Sequence, residues 1–218
     1  MGPHPRLAEA ARRLRLRFGP PAPCGGERPL DLLVRTILSQ NTSDRNRDHA
    51  YAELRRRFSG WEDVLAAPEG EVAQAIQGAG LHRQRARRLK EVLERLQRER
   101  GTLSLDFLSE LPDKEAARWL LSLPGVGKKT AYVVLLFGFD RPFFPVDTHI
   151  ARVTRRLGLV TDRGDPHDAL APLVPTGGER ELHLHLIRLG REICRPRRPR
   201  CAACPLLDLC PHGRKETQ

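Results

Sequence analysis

Lysine is rare in this chain, and two of its lysines stand side by side. The sequence holds five lysines against 33 arginines, and Lys128 and Lys129 directly follow the segment Leu-Pro-Gly-Val-Gly. An arginine serves as well for phosphate contact, whereas an amine can lose its proton and attack a carbon to form an imine. A helix N-terminus and a neighbouring cation both favour the neutral amine. The placement therefore indicates either covalent amine chemistry or a phosphate contact.

The segment before these lysines is rich in turn-forming residues. Helical periodicity over 113–122 and 128–138 predicts a close helical pair with a tight hairpin between them. Gly125 and Gly127 can adopt backbone angles that other residues avoid. Such a hairpin exposes peptide N–H groups at the start of the second helix, where phosphate binds through these donors and the helix dipole. The alternative is an ordinary glycine-rich turn between two helices.

An aspartate follows about twenty residues later. Asp147, in Val-Asp-Thr-His, precedes the apolar pattern of Ile150, Val153 and Leu157. Aspartate is a good N-cap, and we expect it to cap a helix here. A carboxylate at the mouth of a cleft can also stabilise a cationic sugar as a glycosidic bond breaks, or help to deprotonate an attacking amine. The motif alone leaves the catalytic role open.

Four of the five cysteines fall within 17 residues, in the pattern Cys194-x6-Cys201-x2-Cys204-x5-Cys210. Clustered thiols in an intracellular chain indicate metal ligation more than disulfides. A structural zinc site usually joins two tight cysteine pairs, and only one tight pair exists here. The spacing therefore favours an iron–sulfur cubane, with zinc as the alternative. Cys24 stands alone, and we expect it to be an ordinary packed thiol.

The six residues between the first two of these cysteines are all arginine or proline. Proline restricts the loop, and arginine brings forked phosphate-binding groups. We expect a metal-held clip that presses Arg197, Arg198 and Arg200 against a phosphate backbone. The alternative is that these arginines are merely solvated.

Charge and hydropathy narrow the class of protein. The formal net charge is +11 and the isoelectric point is about 10.3, which favours a polyanionic partner, most commonly nucleic acid. The longest apolar run, residues 131–139, is too short to cross a bilayer. The Arg-rich start at Met1 to Arg17 lacks the apolar stretch of a secretory signal. We expect a soluble, cytoplasmic and nucleoid-associated protein, monomeric, with no membrane contact.

Helical periodicity recurs along the chain, and no segment reads as a convincing strand. We therefore predict an all-α protein of nine or ten helices. The predicted helices cover 6–17, 30–38, 44–57, 69–77, 84–99, 113–122, 128–138, 147–156 and 179–193.

Three features occur in order: the hairpin ending in Lys-Lys-Thr, the Val-Asp-Thr-His segment and the four-cysteine pattern. Together they closely resemble the endonuclease III family, within the helix-hairpin-helix DNA glycosylase superfamily, over almost the whole chain. The resemblance implies two α-helical domains flanking a DNA-binding cleft. One is a six-helix domain at 23–141 that contains the hairpin. The other joins 1–22 to 142–218 and carries a [4Fe–4S] cluster on the four cysteines.

The resemblance also implies an activity, that of a bifunctional DNA glycosylase and AP lyase of base excision repair. Such enzymes bind double-stranded DNA with damaged bases or abasic sites, flip the damaged nucleotide out and remove oxidised pyrimidines. The family's nucleophilic lysine falls on Lys129 and its catalytic aspartate on Asp147. By this resemblance Lys129 attacks the sugar C1′, expels the base and forms a Schiff base, and β-elimination then cuts the strand.

Further DNA contacts are implied for the hairpin residues Gly125, Gly127 and Lys128. In the family a leucine wedges the opposite strand and a glutamine fills the gap left by the flipped base. Leu81 fits the wedge. Ser-Gln-Asn-Thr-Ser-Asp at residues 39–44 departs from the family's usual segment, so either Gln40 or Asn41 is the gap filler. Leu121 also departs, since an acidic residue is often found there. These departures leave the lesion spectrum open.

Two other functions remain possible at this point. One is a monofunctional or mismatch-specific glycosylase of the same superfamily, which would lack a lysine at position 129. The other is a non-catalytic DNA-binding module, in which Lys129 contacts phosphate and Asp147 only caps a helix.

Overall fold

The computed structural model describes residues 4–22, 26–161 and 163–217, and the described chain is built of α-helices, short 3-10 turns and loops, without a strand. The predicted all-α class is confirmed. Cys24, expected to be a packed thiol, lies outside the described residues.

The chain divides into two compact units. We call Gly26–Phe139 the hairpin unit, and Met1–Gly25 with Asp140–Gln218 the cysteine unit. Twelve α-helices lie in the described residues. They are α1 (Pro5–Phe18), α2 (Pro29–Leu38), α3 (Asp44–Arg57), α4 (Trp61–Ala66), α5 (Glu69–Ala75), α6 (His82–Arg100), α7 (Asp113–Leu121), α8 (Lys128–Phe139), α9 (Thr148–Arg156), α10 (Pro166–Leu170), α11 (Glu179–Glu192) and α12 (Pro211–Glu216).

Three short helices, α4, α10 and α12, are additional to the predicted set, because five or six residues are too few to show a periodic pattern. With α4 and α5 separate, the hairpin unit holds seven α-helices (α2 to α8), one more than the six expected. The helix predicted at 69–77 ends at Ala75, and a 3-10 turn follows at Gln77–Ala79. Gly78 and Gly80 disfavour a continued α-helix there.

Helix α8 lies in the core of the hairpin unit. It packs against α2, and five of its apolar side chains are buried. Gly138 permits close approach, since a Cβ there would lie 3.3 Å from the Cβ of Pro29. Burial of the apolar residues anchors the helix, so its first turn, with the two lysines, is held in place. The buried apolar residues are Ala131, Val133, Val134, Leu135 and Leu136.

Helix α6 buries the apolar face predicted from its sequence. Leu89, Val92, Leu93 and Leu96 are all buried. The helix begins at His82, two residues before the predicted start, and Gly101 ends it in the left-handed conformation with φ 68°.

The cysteine unit has its own apolar core. Leu7, Ala10 and Leu14 bury one face of α1, which packs against α11, and α11 in turn packs against α9. The side chain of His4 caps α1 by accepting from the Arg6 amide over 3.2 Å. This packing fixes α9 and the residues that precede it.

None of the described helices combines the length and the apolar character that a membrane crossing requires.

Candidate DNA-binding and lyase site

The predicted hairpin connects α7 to α8. Leu123 and Val126 are buried, and the Val126 amide donates to the Leu123 carbonyl over 3.2 Å to close the turn. Gly125 has φ 72°, so the turn uses the freedom of glycine there. Gly127, expected to share that freedom, does not adopt a positive φ. Its carbonyl instead accepts from Ala131 over 3.0 Å, the hydrogen bond that begins α8.

The two lysines are the first residues of α8. Lys128 and Lys129 are half-buried, whereas Thr130 beside them is buried. The first N–H groups of an α-helix have no partner within the helix, and the helix dipole places partial positive charge at that end. The first turn of α8, which carries both lysines, therefore suits an anionic group.

A buried arginine organises the residues around the hairpin. Arg85 is only 2% exposed, and its guanidinium donates to the carbonyl oxygens of Leu38 over 2.7 Å, of Ala79 over 2.8 Å and of Gln40. The Leu38 carbonyl ends α2, so the cation also meets the negative end of that helix dipole. Burial, with the nearby Arg88 guanidinium, lowers the pKa of Arg85. Its hydrogen bonds fix the loop after α2 against the turn before α6.

Sequence reasoning missed Arg85, although a signal for it exists. It occupies an inward position of α6, next to Ala86 and one turn before Leu89, where the apolar pattern predicts a hydrophobic side chain. An arginine at such a position is retained only if buried carbonyl or carboxylate oxygens receive it.

The loop after α2 reaches the hairpin through Gln40. The Gln40 Nε2 donates to the Gly125 carbonyl over 2.9 Å, and its Oε1 accepts from Arg88 Nη1 over 3.4 Å. The next residue, Asn41, is exposed and has φ 52°. The side chain of Gln40 is thus engaged within the protein, whereas that of Asn41 points to solvent.

Three of the residues predicted to contact DNA have a left-handed backbone conformation. Among the described residues, only four that are not glycine have positive φ, namely Asn41, Leu81, Asp140 and Arg198. Leu81, with φ 47°, precedes α6 and is 59% exposed. Such conformations persist where the surrounding structure imposes them, often at functional sites. Three of the four residues were predicted from the sequence to contact DNA.

Asp147 caps helix α9, as predicted. Its Oδ1 accepts from the Ile150 amide over 2.8 Å, with extended backbone angles at the cap. Ile150, Val153 and Leu157 are buried, also as predicted. The carboxylate is half-buried and belongs to the cysteine unit, while Lys129 belongs to the hairpin unit.

The four clustered cysteines line one small cavity of the cysteine unit, together with Arg156, Ile193 and Gly213. All four are free thiols, Cys210 buried and the others half-buried. In the described chain no three side chains of His, Cys, Asp or Glu are gathered tightly enough to hold one metal ion. The thiols thus surround a common space without converging on one point.

Backbone and side-chain donors surround these sulfur atoms. Arg156 Nη1 donates to the Cys194 Sγ over 3.3 Å, and the Gly213 amide donates to the Cys210 Sγ over 3.3 Å. Burial, together with the neighbouring cysteines, raises the pKa of Cys204 to about 11. Burial also raises the pKa of Cys201. Four thiolates in this cavity therefore need a positive group between them.

The arginine-rich loop is held by its backbone and leaves its side chains outside. Arg156 donates to the carbonyl oxygens of Arg195 over 2.8 Å and of Pro196 over 3.0 Å. Arg197, Arg198 and Arg200 are exposed. Arg195 is exposed as well, so the loop presents four cations to solvent from a fixed backbone.

Comparison with known proteins places the chain among DNA-repair proteins. The model of the HhH-GPD superfamily of base excision DNA repair proteins matches residues 34–173. Endonuclease III of Thermotoga maritima is 33% identical over 211 residues, covering 96% of this chain and 94% of the relative. A thymine/uracil-DNA glycosylase of Methanothermobacter thermautotrophicus is 31% identical over 193 residues, covering 86% and 83%.

A solved structure agrees with these relatives. An endonuclease III trapped as a covalent intermediate with DNA superimposes with a TM-score of 0.84 at 28% identity, over 98% of each chain.

Proposed function

We propose that this chain, a member of the endonuclease III family within the HhH-GPD superfamily, works as a bifunctional DNA glycosylase and AP lyase on oxidised pyrimidines through Lys129. The observation that carries the proposal is a half-buried lysine, Lys129, in the first turn of α8, directly after the hairpin. A monofunctional enzyme needs no amine there.

The proposed chemistry follows from an amine nucleophile. The Lys129 nitrogen, once deprotonated, attacks C1′ of the extruded deoxyribose, and the base leaves with the electrons of the glycosidic bond. Opening of the sugar gives a Schiff base between Lys129 and C1′. Loss of a proton from C2′ then expels the 3′ phosphate by β-elimination and cuts the strand. Hydrolysis of the Schiff base frees the lysine.

Asp147 is proposed to act on the same sugar. As the N-cap of α9 its carboxylate is fixed by the Ile150 amide, so it is oriented before substrate binds. A fixed carboxylate stabilises the positive charge that develops on the sugar as the base departs, and it can accept the proton of the attacking amine.

The proposed DNA contacts surround the hairpin. Gly125, Gly127 and Lys128 would receive a phosphate at the start of α8, without reading sequence. Leu81 is suited to wedge the opposite strand, since it is exposed and held in a left-handed conformation. Asn41 is the better candidate for the gap left by the flipped base, because Gln40 is already bonded to the hairpin.

Arg197, Arg198 and Arg200 of the arginine-rich loop are proposed to contact the DNA backbone. Their exposure on a loop with a fixed backbone supports this assignment.

A [4Fe–4S] cluster is proposed on the four cysteines. They line one cavity but are not gathered around a single ion, which suits a cubane better than zinc. The ligands would be Cys194, Cys201, Cys204 and Cys210. When bound, the cluster supplies positive iron and four bonds that close the loop carrying the arginines. The Arg156 and Gly213 donors would bond to two of its sulfur ligands.

Borohydride trapping on a duplex with one abasic site tests the lyase assignment. The wild-type protein should give a covalent complex, and Lys129→Gln should abolish it. Lys128→Gln is the matched control, because it removes the adjacent amine of the same helix turn, and we expect it to weaken binding while trapping persists. An untrapped wild-type protein, or trapping that survives Lys129→Gln, would contradict the assignment.

A monofunctional glycosylase is the second candidate, because the similar relative from Methanothermobacter acts on thymine and uracil by its name. Duplexes with single defined lesions distinguish the two. Release of thymine or uracil without strand cleavage or trapping would favour the second candidate over the first.

A further inference from the structure

One side chain joins the loop at residues 39–43 to the hairpin. The Gln40 Nε2 donates to the Gly125 carbonyl over 2.9 Å, and the Val126 amide of that same peptide unit donates to Leu123. Both polar groups of the Gly125–Val126 peptide are therefore hydrogen-bonded, which fixes its orientation. This peptide lies just before the first turn of α8, where the phosphate is proposed to bind.

Arg88 contacts the other end of the Gln40 side-chain amide. Its Nη1 donates to the Gln40 Oε1 over 3.4 Å, and its side chain crosses the hairpin so closely that a Cβ on Gly125 would lie 2.6 Å from its Cδ. Both ends of the Gln40 amide are thus used within the protein, one by Arg88 and one by the hairpin. Glycine at 125 leaves the space in which Arg88 lies.

Arg88 is a cation without an acidic partner. No carboxylate of the described chain forms an ion pair with it, and the guanidinium of the buried Arg85 lies close enough to act on it electrostatically. An uncompensated cation beside a proposed phosphate site has two possible uses. It either contacts a DNA phosphate itself or orients Gln40. The hydrogen bond to Gln40 favours the second use.

We propose that Gln40 and Arg88 form a positioning pair that fixes Asn41 relative to the hairpin. When the hairpin binds a phosphate, Asn41 is then placed to enter the duplex. The inference rests on the proposed function. Asn41 immediately follows Gln40 and has φ 52°, so the chain direction at Asn41 depends on how Gln40 is held. Arg85 holds the main chain of Gln40, and the hairpin holds its side chain. Neither Gln40 nor Arg88 touches the reacting atoms.

Gln40→Met tests the pair, since methionine has similar length but cannot make either hydrogen bond. We expect single-turnover base excision to slow roughly 3- to 10-fold, the worth of one or two hydrogen bonds, with affinity for undamaged duplex unchanged. Fluorescence of 2-aminopurine opposite an abasic-site analogue should show a smaller or slower response, because it reports on occupation of the gap. Gln84→Met on the exposed face of α6 is the matched control.

The partner residue is tested by Arg88→Met and by the double variant. If the two residues act as a unit, Gln40→Met with Arg88→Met should be no slower than the slower single variant. If Arg88 instead contacts phosphate, its loss would reduce the slope of log affinity against log salt by about 1, and the pairing would be overturned. Arg87→Met, an exposed arginine of α6, controls for the loss of charge.

A further variant separates positioning from folding. Gln40→Glu keeps the length and can pair with Arg88, but its carboxylate opposes the Gly125 carbonyl, and we expect excision at least as slow as in Gln40→Met. Rates equal to wild type in both variants, at equal melting temperature, would overturn the inference. Wild-type protein that fails to trap on abasic DNA would instead count against the proposed function. These two failures are therefore distinguishable.

Discussion

The hairpin and the cysteine-lined segment are both short, irregular and positively charged, but they are held in different ways. The hairpin is fixed by protein groups, namely buried Leu123 and Val126 within the turn and the Gln40 hydrogen bond from outside it. In the segment 194–210, four thiols surround a cavity, and arginines from outside the segment hold its backbone. Arg156 donates to the carbonyls of Arg195 and Pro196, and Arg13 donates to the carbonyl of Pro205.

This difference separates the two regions that are proposed to present cations to DNA. The hairpin is shaped before any ligand binds, because its core and hydrogen bonds are complete. The proposed cluster would add four bonds to the arginine-rich loop, so that binding of the group and folding of the segment would be coupled. Loss of that group should therefore affect one region and spare the other.

Removal of one sulfur ligand should have the largest effect. The proposed iron–sulfur cluster should give a broad absorbance near 400 nm, which should disappear in Cys204→Ala. Amide-exchange protection across 194–213 should fall by several kcal/mol, because binding of the cluster and folding of the segment would be coupled. Protection across 123–139 should change little. Cys24→Ala is the control and should retain the colour. Equal loss of protection in both regions would contradict the proposal that only the cysteine-lined segment depends on the bound group.

Arg85→Met tests what holds the hairpin region. Three carbonyl oxygens lose their partner, so unfolding free energy should fall by roughly 2–4 kcal/mol, measured by urea denaturation. Arg87→Met, an exposed arginine of the same helix, should change it by roughly 0.5 kcal/mol or less. If the two variants are equally stable, Arg85 does not organise the region.

The two hairpin glycines differ in backbone conformation, so alanine at the two positions should change the unfolding free energy differently. Gly125→Ala should cost about 1 kcal/mol or more, because φ is 72° and the new methyl group displaces Arg88. Gly127→Ala should leave stability unchanged or slightly raised, since φ is not positive and its Cβ would meet nothing within 4 Å.

At Gly127, by contrast, we expect substitution by alanine to change the affinity for DNA although it leaves stability unchanged. A methyl group there would keep a phosphate from the start of α8, so affinity for duplex DNA should fall while the melting temperature does not. Unchanged affinity in Gly127→Ala would show that the phosphate does not approach this peptide.

The smallest expected effect concerns the salt bridges of α1. Hydrogen bonds from Arg12 and then Arg13 lower the pKa of Glu9 to about 2. Because the folded-state pKa is depressed, the stabilisation is present above about pH 4.5 and is lost as pH falls toward 2. The difference in stability between wild type and Glu9→Gln should therefore be small at pH 6 and smaller still at pH 3.5. Glu94→Gln is the control, because Glu94 is exposed and forms no ion pair within the described residues.

Local features of the fold were predictable from neighbouring residues. The inward faces of α1 and α6 follow from apolar residues three or four positions apart, and the Asp147 cap from its place before Ile150. These depend on contacts within one turn, whose energetics are encoded in adjacent residues. The helices of five or six residues, α4, α10 and α12, were not predicted, because so short a segment has no measurable period.

The arrangement around the hairpin was decided by tertiary structure. Arg85 reaches a carbonyl 47 positions away, and Gln40 reaches one 85 positions away. The sequence showed that either Gln40 or Asn41 could fill the gap left by the flipped base. It did not show which of the two side chains is hydrogen-bonded within the protein. That depends on the packing of α2 against α8, which brings the loop to the hairpin. Contacts between distant segments arise only when separate helices share a core, so no local pattern records them.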